Sequence, residues 1–222
     1  GTYSIDEIPR AEGHGTTITL HLKKFTEEDE VEDFTEAVTL KSLVKKYSDF
    51  IAHPIRMKGE SEDETLNSQK ALWLKNPAEI SAEEYKEFYR HVSHDWNDPL
   101  KTIHYKAEGT MEFNALLYLP TQKPWNFNMR DTEYGLSLYI KRVFIMADCK
   151  DLLPPYLRFV KGLVDSSDLS LNVSREILQQ NRQVTQIRKN VVNKVLSSLK
   201  DLLSKERSHY ETFWKEFGAT LK

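Results

Sequence analysis

The stretch from Thr102 to Leu119, TIHYKAEGTMEFNALLYL, decides which class of fold this sequence can adopt. Its second half places apolar side chains at every second position, at Met111, Phe113, Ala115, Leu117 and Leu119. A period of two residues is typical of a β-strand with one buried face. Glu108, Gly109 and Thr110 interrupt the pattern with residues that suit a tight turn. We therefore predict a β-hairpin, and with it an antiparallel pair of strands in a sheet.

Helices and further strands flank this hairpin on both sides. Ser81 and Glu84 have the spacing of a capping box, which predicts that a helix begins there. A long helix is predicted from about residue 181 to residue 203, where apolar residues recur at intervals of three and four. Strands are also predicted at Thr17–Leu22 (TITLHL) and Leu136–Ala147 (LSLYIKRVFIMA). Residues 55–73 (IRMKGESEDETLNSQKALW) suggest two further strands joined by a polar loop. The mixture of strands, a hairpin and amphipathic helices predicts a layered α/β fold.

Composition limits the classes of protein to which the chain can belong. The 222 residues are 39% hydrophobic and 29% charged, which is typical of a globular protein with a substantial core. A formal net charge of −3 argues against a general nucleic-acid binder, because phosphate contacts require a dense basic surface. No apolar run approaches the roughly 20 residues of a membrane span. The one cysteine, Cys149, allows no intrachain disulfide and suits a reducing compartment such as the cytoplasm.

Two groups of reactive residues are weak candidates for a chemical site. His91, His94 and Asp95 have a spacing that metal ligands can use, but no HExxH glutamate or further ligand pair accompanies them. Cys149 has acidic neighbours, whose negative charges raise the pKa of a thiol and disfavour its reactive thiolate. The sequence also contains no glycine-rich phosphate loop. We expect neither a metal site nor a self-contained nucleotide site.

The stretch Asp168–Arg182, DLSLNVSREILQQNR, combines a change of period with a charge in an unfavourable place. Ser174 is a good helix N-cap, so Arg175 lies in the first turn of a predicted helix. The helix dipole disfavours a cation there. Gln179 follows one turn later and shares the same helix face. Arg175 is either a surface residue paired with Asp168 or another carboxylate, or a guanidinium that binds a phosphate with support from Gln179.

Four stretches resemble the middle domain of the heat shock protein 90 chaperone family and occur in that family's order. They are ALWLKNPAEISAEEYKEFYRHVSHDWNDPL, LLYLPTQKPWNF, LYIKRVFIMADCKDLLPPYLRFVKGLVDSSDL and LVDSSDLSLNVSREILQQNRQV. The resemblance extends over essentially all residues from about 15 to 222. GTTITLHL, at residues 15–22, is similar to the last strand of the family's N-terminal ATP-binding domain, and the link after it is short, as in bacterial members. The chain is thus identified as a middle-domain fragment of the bacterial type.

This resemblance implies a fold, a division into domains and a place in a longer protein. The implied fold is a layered α-β-α sandwich like the second domain of ribosomal protein S5, followed by C-terminal helices. Residues 1–24 correspond to the end of the N-terminal domain and a link, residues 25–205 to the large α/β subdomain, and residues 206–222 to the start of a helical connector. The full-length protein is expected to be a cytoplasmic stress-response chaperone that forms a homodimer through a C-terminal domain.

The resemblance also implies a part in ATP hydrolysis. ATP, with Mg, is held mainly by the N-terminal domain, which closes against the middle domain. By match to the family's motif, Arg175 reaches the γ-phosphate on closure and Gln179 supports it. Asn172 and Ser174 shape the loop that presents them. This fragment alone is not expected to hydrolyse ATP.

A further role that the resemblance implies is the binding of unfolded client proteins. Trp73 and Trp125 match positions where the family has exposed apolar or aromatic residues. Phe127 shares an unusually apolar loop with Trp125, TQKPWNFNM at residues 121–129. The alternative for both tryptophans is a place in the core. The alternative for the whole chain is a protein-interaction module with no part in ATP hydrolysis, in which Arg175 forms a structural ion pair.

Overall fold

The structure is a computed structural model that describes residues 13–22, 33–59, 61–109, 111–129, 133–170 and 182–221. The helices in this part of the chain are α1 (Ala37–Ser48), α2 (Ala82–Ser93), α3 (Arg182–Lys205) and α4 (Arg207–Leu221). The strands are β1 (Arg56–Met57), β2 (Glu64–Thr65), β3 (Lys101–Ala107), β4 (Phe113–Leu119), β5 (Leu136–Ile140), β6 (Val143–Cys149) and β7 (Lys161–Ser166). Short 3-10 helices lie at Leu72–Leu74, Pro77–Glu79, Lys150–Leu152 and Pro155–Leu157.

The hairpin predicted around Gly109 is confirmed, and it forms one side of a five-stranded sheet. β3 and β4 pair antiparallel, with Ile103 opposite Leu117. The strand order is β3-β4-β7-β5-β6, and β5 pairs with β7 in parallel while the other neighbours are antiparallel. The sheet is therefore mixed. β1 and β2 form a separate antiparallel pair.

β4 is buried on both faces of the sheet. Every second side chain belongs to one hydrophobic cluster, namely Phe113, Ala115, Leu117 and Leu119. Two of the three side chains between them, Leu116 and Tyr118, belong to a second cluster. Because successive side chains of a strand point to opposite faces, the two clusters lie on opposite sides of the sheet.

Helices cover both of these faces. α3 fills the first cluster with an apolar stripe at intervals of three and four, namely Val184, Ile187, Val191, Val195, Leu199 and Leu202. The second cluster contains Tyr89 from α2 and Phe50, which follows α1. The predicted α/β class is thus confirmed, with a mixed sheet and C-terminal helices.

The single strand predicted at residues 136–147 is wrong, because the chain reverses in its middle. Ile140 ends β5, Val143 begins β6, and the two pair antiparallel. Lys141 and Arg142 between them have φ of 50° and 67°, the left-handed values of a two-residue hairpin turn. Such turns are usually built with Asn or Gly, so a Lys-Arg pair gives no sequence signal.

The strand predicted at Thr17–Leu22 is also not formed in the structure. Ile18 and Leu20 are 78% and 76% exposed, and no strand is assigned among residues 13–22. Alternation predicts only that one face can be buried. An alternating segment forms a strand only when its backbone groups find hydrogen-bond partners on the edge of a neighbouring strand. None of the described residues provides such an edge here.

α4 packs into the same core as the α/β part of the chain. Phe213 and Phe217 lie with their ring centroids 5.2 and 5.0 Å from that of Phe159. An ion pair between Lys101 of β3 and Glu206 fixes the junction of α3 and α4. The helix predicted to begin a connector is therefore part of the core, while the domain boundaries at residues 24 and 205 stay predictions.

The capping box predicted at α2 is confirmed in both directions. The Ser81 hydroxyl accepts from the Glu84 backbone N–H at 3.2 Å, and a Glu84 carboxylate oxygen accepts from the Ser81 backbone N–H at 2.9 Å. The bond from the Ser81 backbone, with further bonds from Lys75 and the Ser81 hydroxyl, lowers the pKa of Glu84 to about 2. The folded state therefore favours ionised Glu84.

We expect Ser81→Ala to lower the free energy of unfolding by about 1 kcal/mol, the usual cost of losing an N-cap side chain. Ser61→Ala, at an exposed serine outside any helix, is the matched control.

The pKa of Glu84 is lower in the folded state than its ordinary value of 4.5, so ionised Glu84 stabilises the fold at pH values above 4.5. This contribution is lost as the pH falls toward about 2. The melting-temperature gap between wild type and Glu84→Gln should therefore shrink on acidification. A gap independent of pH would contradict this.

Candidate functional site

The two residues predicted to act on ATP and the two predicted to shape their loop lie outside the residues that the structure describes. They are Asn172, Ser174, Arg175 and Gln179. Their roles stay predictions. The structure does describe the chain on both sides of them, and we call the stretch in between the Arg175 segment (residues 171–181).

Both flanks of the Arg175 segment are anchored in the core. Leu169 before it and Val184 after it are each 2% exposed. The Gln183 side-chain amide donates to the backbone carbonyl of Asp168 at 3.4 Å. The Asp168 carboxylate accepts from the Glu112 backbone N–H at 2.7 Å, which ties this flank to the start of β4. The described residues on the two sides of the segment are thus joined by a hydrogen bond and packed into the core.

Trp73 is a core residue, which corrects its assignment as a client-binding residue. Its side chain is 1% exposed and its ring centroid lies 4.8 Å from that of Phe50. Its indole N–H donates to the Asp165 carboxylate at 2.8 Å. A side chain enclosed in this way offers no surface to a second protein.

Asp165 is a structural residue that the sequence analysis did not single out. It is 4% exposed and accepts from the Trp73 indole and, at 3.2 Å, from the Arg142 backbone N–H. A buried carboxylate is costly unless it is hydrogen-bonded, and these two donors meet that need. Asp165 therefore joins the 3-10 helix of Trp73 to the β5–β6 turn.

Trp125 and Phe127 point in opposite directions from the same loop. Trp125 is 85% exposed, as a client-binding residue requires, whereas Phe127 is 5% exposed and packs 5.6 Å from the ring of Phe217. The assignment of Phe127 as a client-binding residue is therefore corrected, because Phe127 anchors the loop to α4. Backbone bonds from Phe127 N–H to Pro124 and from Met129 N–H to Asn126, each at 3.0 Å, hold the turn that presents Trp125.

Trp96 is a second exposed tryptophan that the sequence analysis missed. It is 87% exposed and follows α2, directly after His94 and Asp95. Those two residues were considered only as metal ligands. The signal that could have identified Trp96 was its setting in HDWND, where a bulky aromatic residue has polar neighbours on both sides.

A cavity of about 420 Å³ lies between the end of α2 and the Trp125 loop. Tyr89 and Asp95 form one wall, and the Tyr89 hydroxyl donates to the Asp95 carboxylate at 2.7 Å. Burial, and then this bond to Asp95, raise the pKa of Tyr89, so Tyr89 remains a proton donor. Trp125 and Arg158 line other parts of the cavity. The cavity lining thus combines an exposed tryptophan with charged side chains of both signs.

Asp95, considered as a metal ligand, and Cys149, considered as a nucleophile, have surroundings that suit a structural role. Both oxygens of Asp95 accept hydrogen bonds, one from Tyr89 and one from Asn97. Within the described residues, no group of three or more His, Cys, Asp or Glu side chains is arranged to hold a metal ion. Cys149 is 1% exposed, and burial rather than its acidic neighbours is the main reason that the pKa of its thiol rises to about 11.

Comparison with known protein families gives the chain its family. A profile described as Hsp90 protein matches residues 57–222, well over half of the sequence. The chain belongs to the Hsp90 family. The segment that matches includes the hairpin, the Trp125 loop, the cavity and the Arg175 segment.

Curated Hsp90 relatives match the chain along its whole length. The chaperone protein HtpG of Bdellovibrio bacteriovorus is 80% identical over 222 residues, which are 100% of this chain and 36% of that protein. The chaperone proteins HtpG of Nocardia farcinica and Mycobacterium avium are 54% identical over 238 residues and 53% identical over 237 residues, again along 100% of this chain and over 36% and 37% of those proteins. The chain thus spans about a third of the length of these curated relatives.

Across the parts of the chain that the structure describes, no helix combines the length and the apolar character needed to cross a membrane.

Proposed function

We propose that this chain is the middle segment of an ATP-dependent chaperone. The observation that carries the proposal is the 80% identity, along the whole chain, to a chaperone that is nearly three times as long. In the full-length protein an N-terminal domain holds ATP with Mg and closes against this segment. The protein works in the cytoplasm and forms a homodimer through a C-terminal domain.

The catalytic part of the proposal concerns the Arg175 segment. On closure Arg175 contacts the γ-phosphate of ATP and Gln179 supports it, while Asn172 and Ser174 shape the loop. The anchored flanks of the segment support this role, because a guanidinium stabilises a transferring phosphoryl group only when it is held in position. Turnover of ATP by full-length protein carrying Arg175→Ala tests it.

The fold part of the proposal is a relation to the second domain of ribosomal protein S5. A mixed five-stranded sheet with helices on both faces supports it. In the same scheme residues 25–205 form the large subdomain, and α4 begins the path to a smaller one.

The client-binding part of the proposal rests on two indoles. Trp96 and Trp125 are 87% and 85% exposed, and Asp95 and Asn97, which flank Trp96, line the same cavity as Trp125. Exposed tryptophans are costly to leave in water and are enriched among residues that dominate protein–protein binding. They form an aromatic surface on one side of the molecule, to which unfolded segments bind.

We expect Trp125→Ala and Trp96→Ala each to weaken capture of an unfolded protein while leaving the melting temperature nearly unchanged. Both side chains are mostly in water in the folded state, so truncation removes little packing. Val38→Ala is the matched control, because Val38 is also an exposed apolar residue, at 78%, and is not among the residues that line the cavity. Suppression of aggregation by full-length protein, read beside thermal melting, is the measurement. Unchanged capture in both tryptophan variants would remove this surface from the client-binding role.

A second candidate function is a protein-interaction module that takes no part in ATP hydrolysis. The two exposed tryptophans favour it as much as they favour an ATP-driven chaperone. The candidates differ at Arg175, which in the interaction module forms only a structural ion pair. ATP turnover in Arg175 variants separates them.

A further inference from the structure

The turn between β5 and β6 places two cations in a backbone conformation that neither of them favours. Lys141 and Arg142 have φ of 50° and 67°. Left-handed values are strained for most side chains, and a two-residue hairpin turn of this kind is usually built from Asn and Gly. An Asn-Gly pair would form the same turn with less strain. The retained strain suggests a use for the two side chains.

The backbone of this turn is fixed, and its charged side chains are left over. The Lys141 N–H donates to the Ser166 carbonyl at 3.2 Å, and the Arg142 N–H donates to the Asp165 carboxylate at 3.2 Å. Asp165 is itself held by the Trp73 indole. Lys141 is exposed and Arg142 is partly exposed. Among the described residues, neither side chain forms an ion pair.

The turn lies at the end of the sheet where the chain leaves toward the Arg175 segment. β5 and β7 are parallel, with Ile140 opposite Ser166, so both strands end there. β4 begins at the same end, with Phe113 opposite Ser166. From Ser166 the chain continues through Asp168 into the Arg175 segment. The two cations therefore lie beside the point from which that segment departs.

The described carboxylates at this end of the sheet do not neutralise the turn. Asp168 accepts from a backbone N–H of β4's first flank at 2.7 Å, and Glu108 pairs with Lys106. Glu112 is exposed, and no ion pair joins it to the turn. Two like charges on one fixed turn attract an acidic surface from outside this part of the chain.

We propose that the Lys141–Arg142 turn is a docking contact for a carboxylate on the surface of the N-terminal ATP-binding domain, made when that domain closes. The Arg142 guanidinium offers a planar fork that matches the two oxygens of Asp or Glu, and Lys141 adds a second positive charge. Because the backbone of the turn is already fixed, less ordering is needed when the contact forms.

This inference rests on the proposed function and adds a second contact to it. Arg175 acts on the phosphate, whereas the turn binds the protein that carries the phosphate. The turn thereby favours the closed arrangement in which Arg175 can act. Its effect is on the closing equilibrium and not on the chemical step.

The test uses full-length protein with a donor dye in the N-terminal domain and an acceptor dye in the middle segment. Single-molecule energy transfer then gives the ratio of closed to open molecules with a non-hydrolysable ATP analogue. Arg142→Gln should lower this ratio about fivefold, the upper range for an exposed ion pair, and Arg142→Lys should lower it less. The difference between wild type and Arg142→Gln should shrink as salt is added. Arg56→Gln, at an exposed arginine of β1, is the matched control and should close like wild type.

Replacing the whole turn separates docking from a structural role. Lys141→Asn combined with Arg142→Gly supplies the residues that the backbone favours and removes both charges. This double variant should melt at or above the temperature of wild type, and it should close at least as poorly as Arg142→Gln. A turn that served only the fold would give a double variant that closes normally.

Wild-type closure in Arg142→Gln or in the double variant would overturn the inference, as would an equal loss in Arg56→Gln. A carboxylate contact weakens closure by the same factor with ATP analogue, with ADP and without nucleotide. A loss confined to the ATP analogue would place the contact on the γ-phosphate and overturn the assignment to a carboxylate. The proposed function fails on a different result, namely unchanged ATP turnover in Arg175→Ala.

Discussion

Trp73→Ala is expected to lower the free energy of unfolding by about 3–5 kcal/mol, the range for truncating a large buried aromatic side chain. Trp73 is 1% exposed, and its ring lies 4.8 Å from Phe50 and 5.3 Å from Tyr139 by centroids. Alanine would leave a cavity between these rings. It would also remove the indole N–H that donates to buried Asp165, so a carboxylate would lose one of its two donors.

Trp73→Phe separates the two parts of this loss. Phenylalanine fills much of the space but cannot donate to Asp165, so its cost should be smaller than that of alanine and still about 1–3 kcal/mol, the cost of an unsatisfied buried polar group. Trp125→Ala is the matched control and should change the free energy of unfolding by no more than about 0.5 kcal/mol. Urea denaturation of the chain measures all three. If the Trp73→Ala protein were as stable as wild type but deficient in client capture, Trp73 would be a client-binding residue and not a core residue.

The contrast between Trp73 and Trp125 shows where sequence reasoning reached its limit. Both residues stand in short apolar stretches outside regular strands, and local pattern gave no means of distinguishing them. The hydrogen-bond partner of the buried Trp73 indole is Asp165, 92 positions further along the chain. Such a pairing is a property of the folded sheet and leaves no trace in the residues around either member.

The secondary structure was predictable where two independent signals agreed. The β3–β4 hairpin combined alternation with a glycine turn, and α2 combined a capping box with an apolar face. The β5–β6 reversal had alternation on both sides and no turn residue, because Lys141 and Arg142 adopt positive φ without being glycine or asparagine. Their strain is offset by the bond from the Arg142 N–H to Asp165, which is again a long-range contact.

The candidate functional residues also differ in whether a local sequence signal identifies them. Arg175 was singled out by a charge that its own helix does not favour, which is a local signal. Phe127 carries no such signal, because it is buried against Phe217, which is distant in sequence and comes near it only in the folded chain. The polar neighbours of Trp96 could have predicted its exposure, but two of them, His94 and Asp95, were interpreted only as possible metal ligands.

If the proposed function holds, Arg175→Ala in the full-length protein should reduce ATP turnover by at least about tenfold. Arginines that a second domain or protein supplies to the phosphate in GTPases raise the rate by about 10³–10⁵, so the expected loss is small by comparison. This sequence contains no glycine-rich phosphate loop that could take over the phosphate contact of the guanidinium. The affinity for ATP should change far less, because the arginine acts on the charge that develops after closure. Folding should be unaffected or slightly stabilised, since the predicted first turn of a helix disfavours a cation.

Two further substitutions test the chemistry of the contact. Arg175→Lys should recover only part of the turnover, because an ammonium keeps the charge without the planar fork. Gln179→Ala should lower turnover less than Arg175→Ala, since it removes a neutral hydrogen bond rather than a charged one. Arg182→Ala is the matched control, as Arg182 is an exposed arginine at the start of α3.

The most direct test of the proposed function is the turnover number of the full-length Arg175→Ala protein at saturating ATP, relative to wild type and to Arg182→Ala, with melting temperatures measured on the same samples. The account predicts a fall of at least about tenfold in Arg175→Ala alone, at an unchanged or slightly higher melting temperature. Turnover equal to that of wild type, or a fall accompanied by unfolding, would contradict it and leave Arg175 as a structural ion pair in a protein-interaction module.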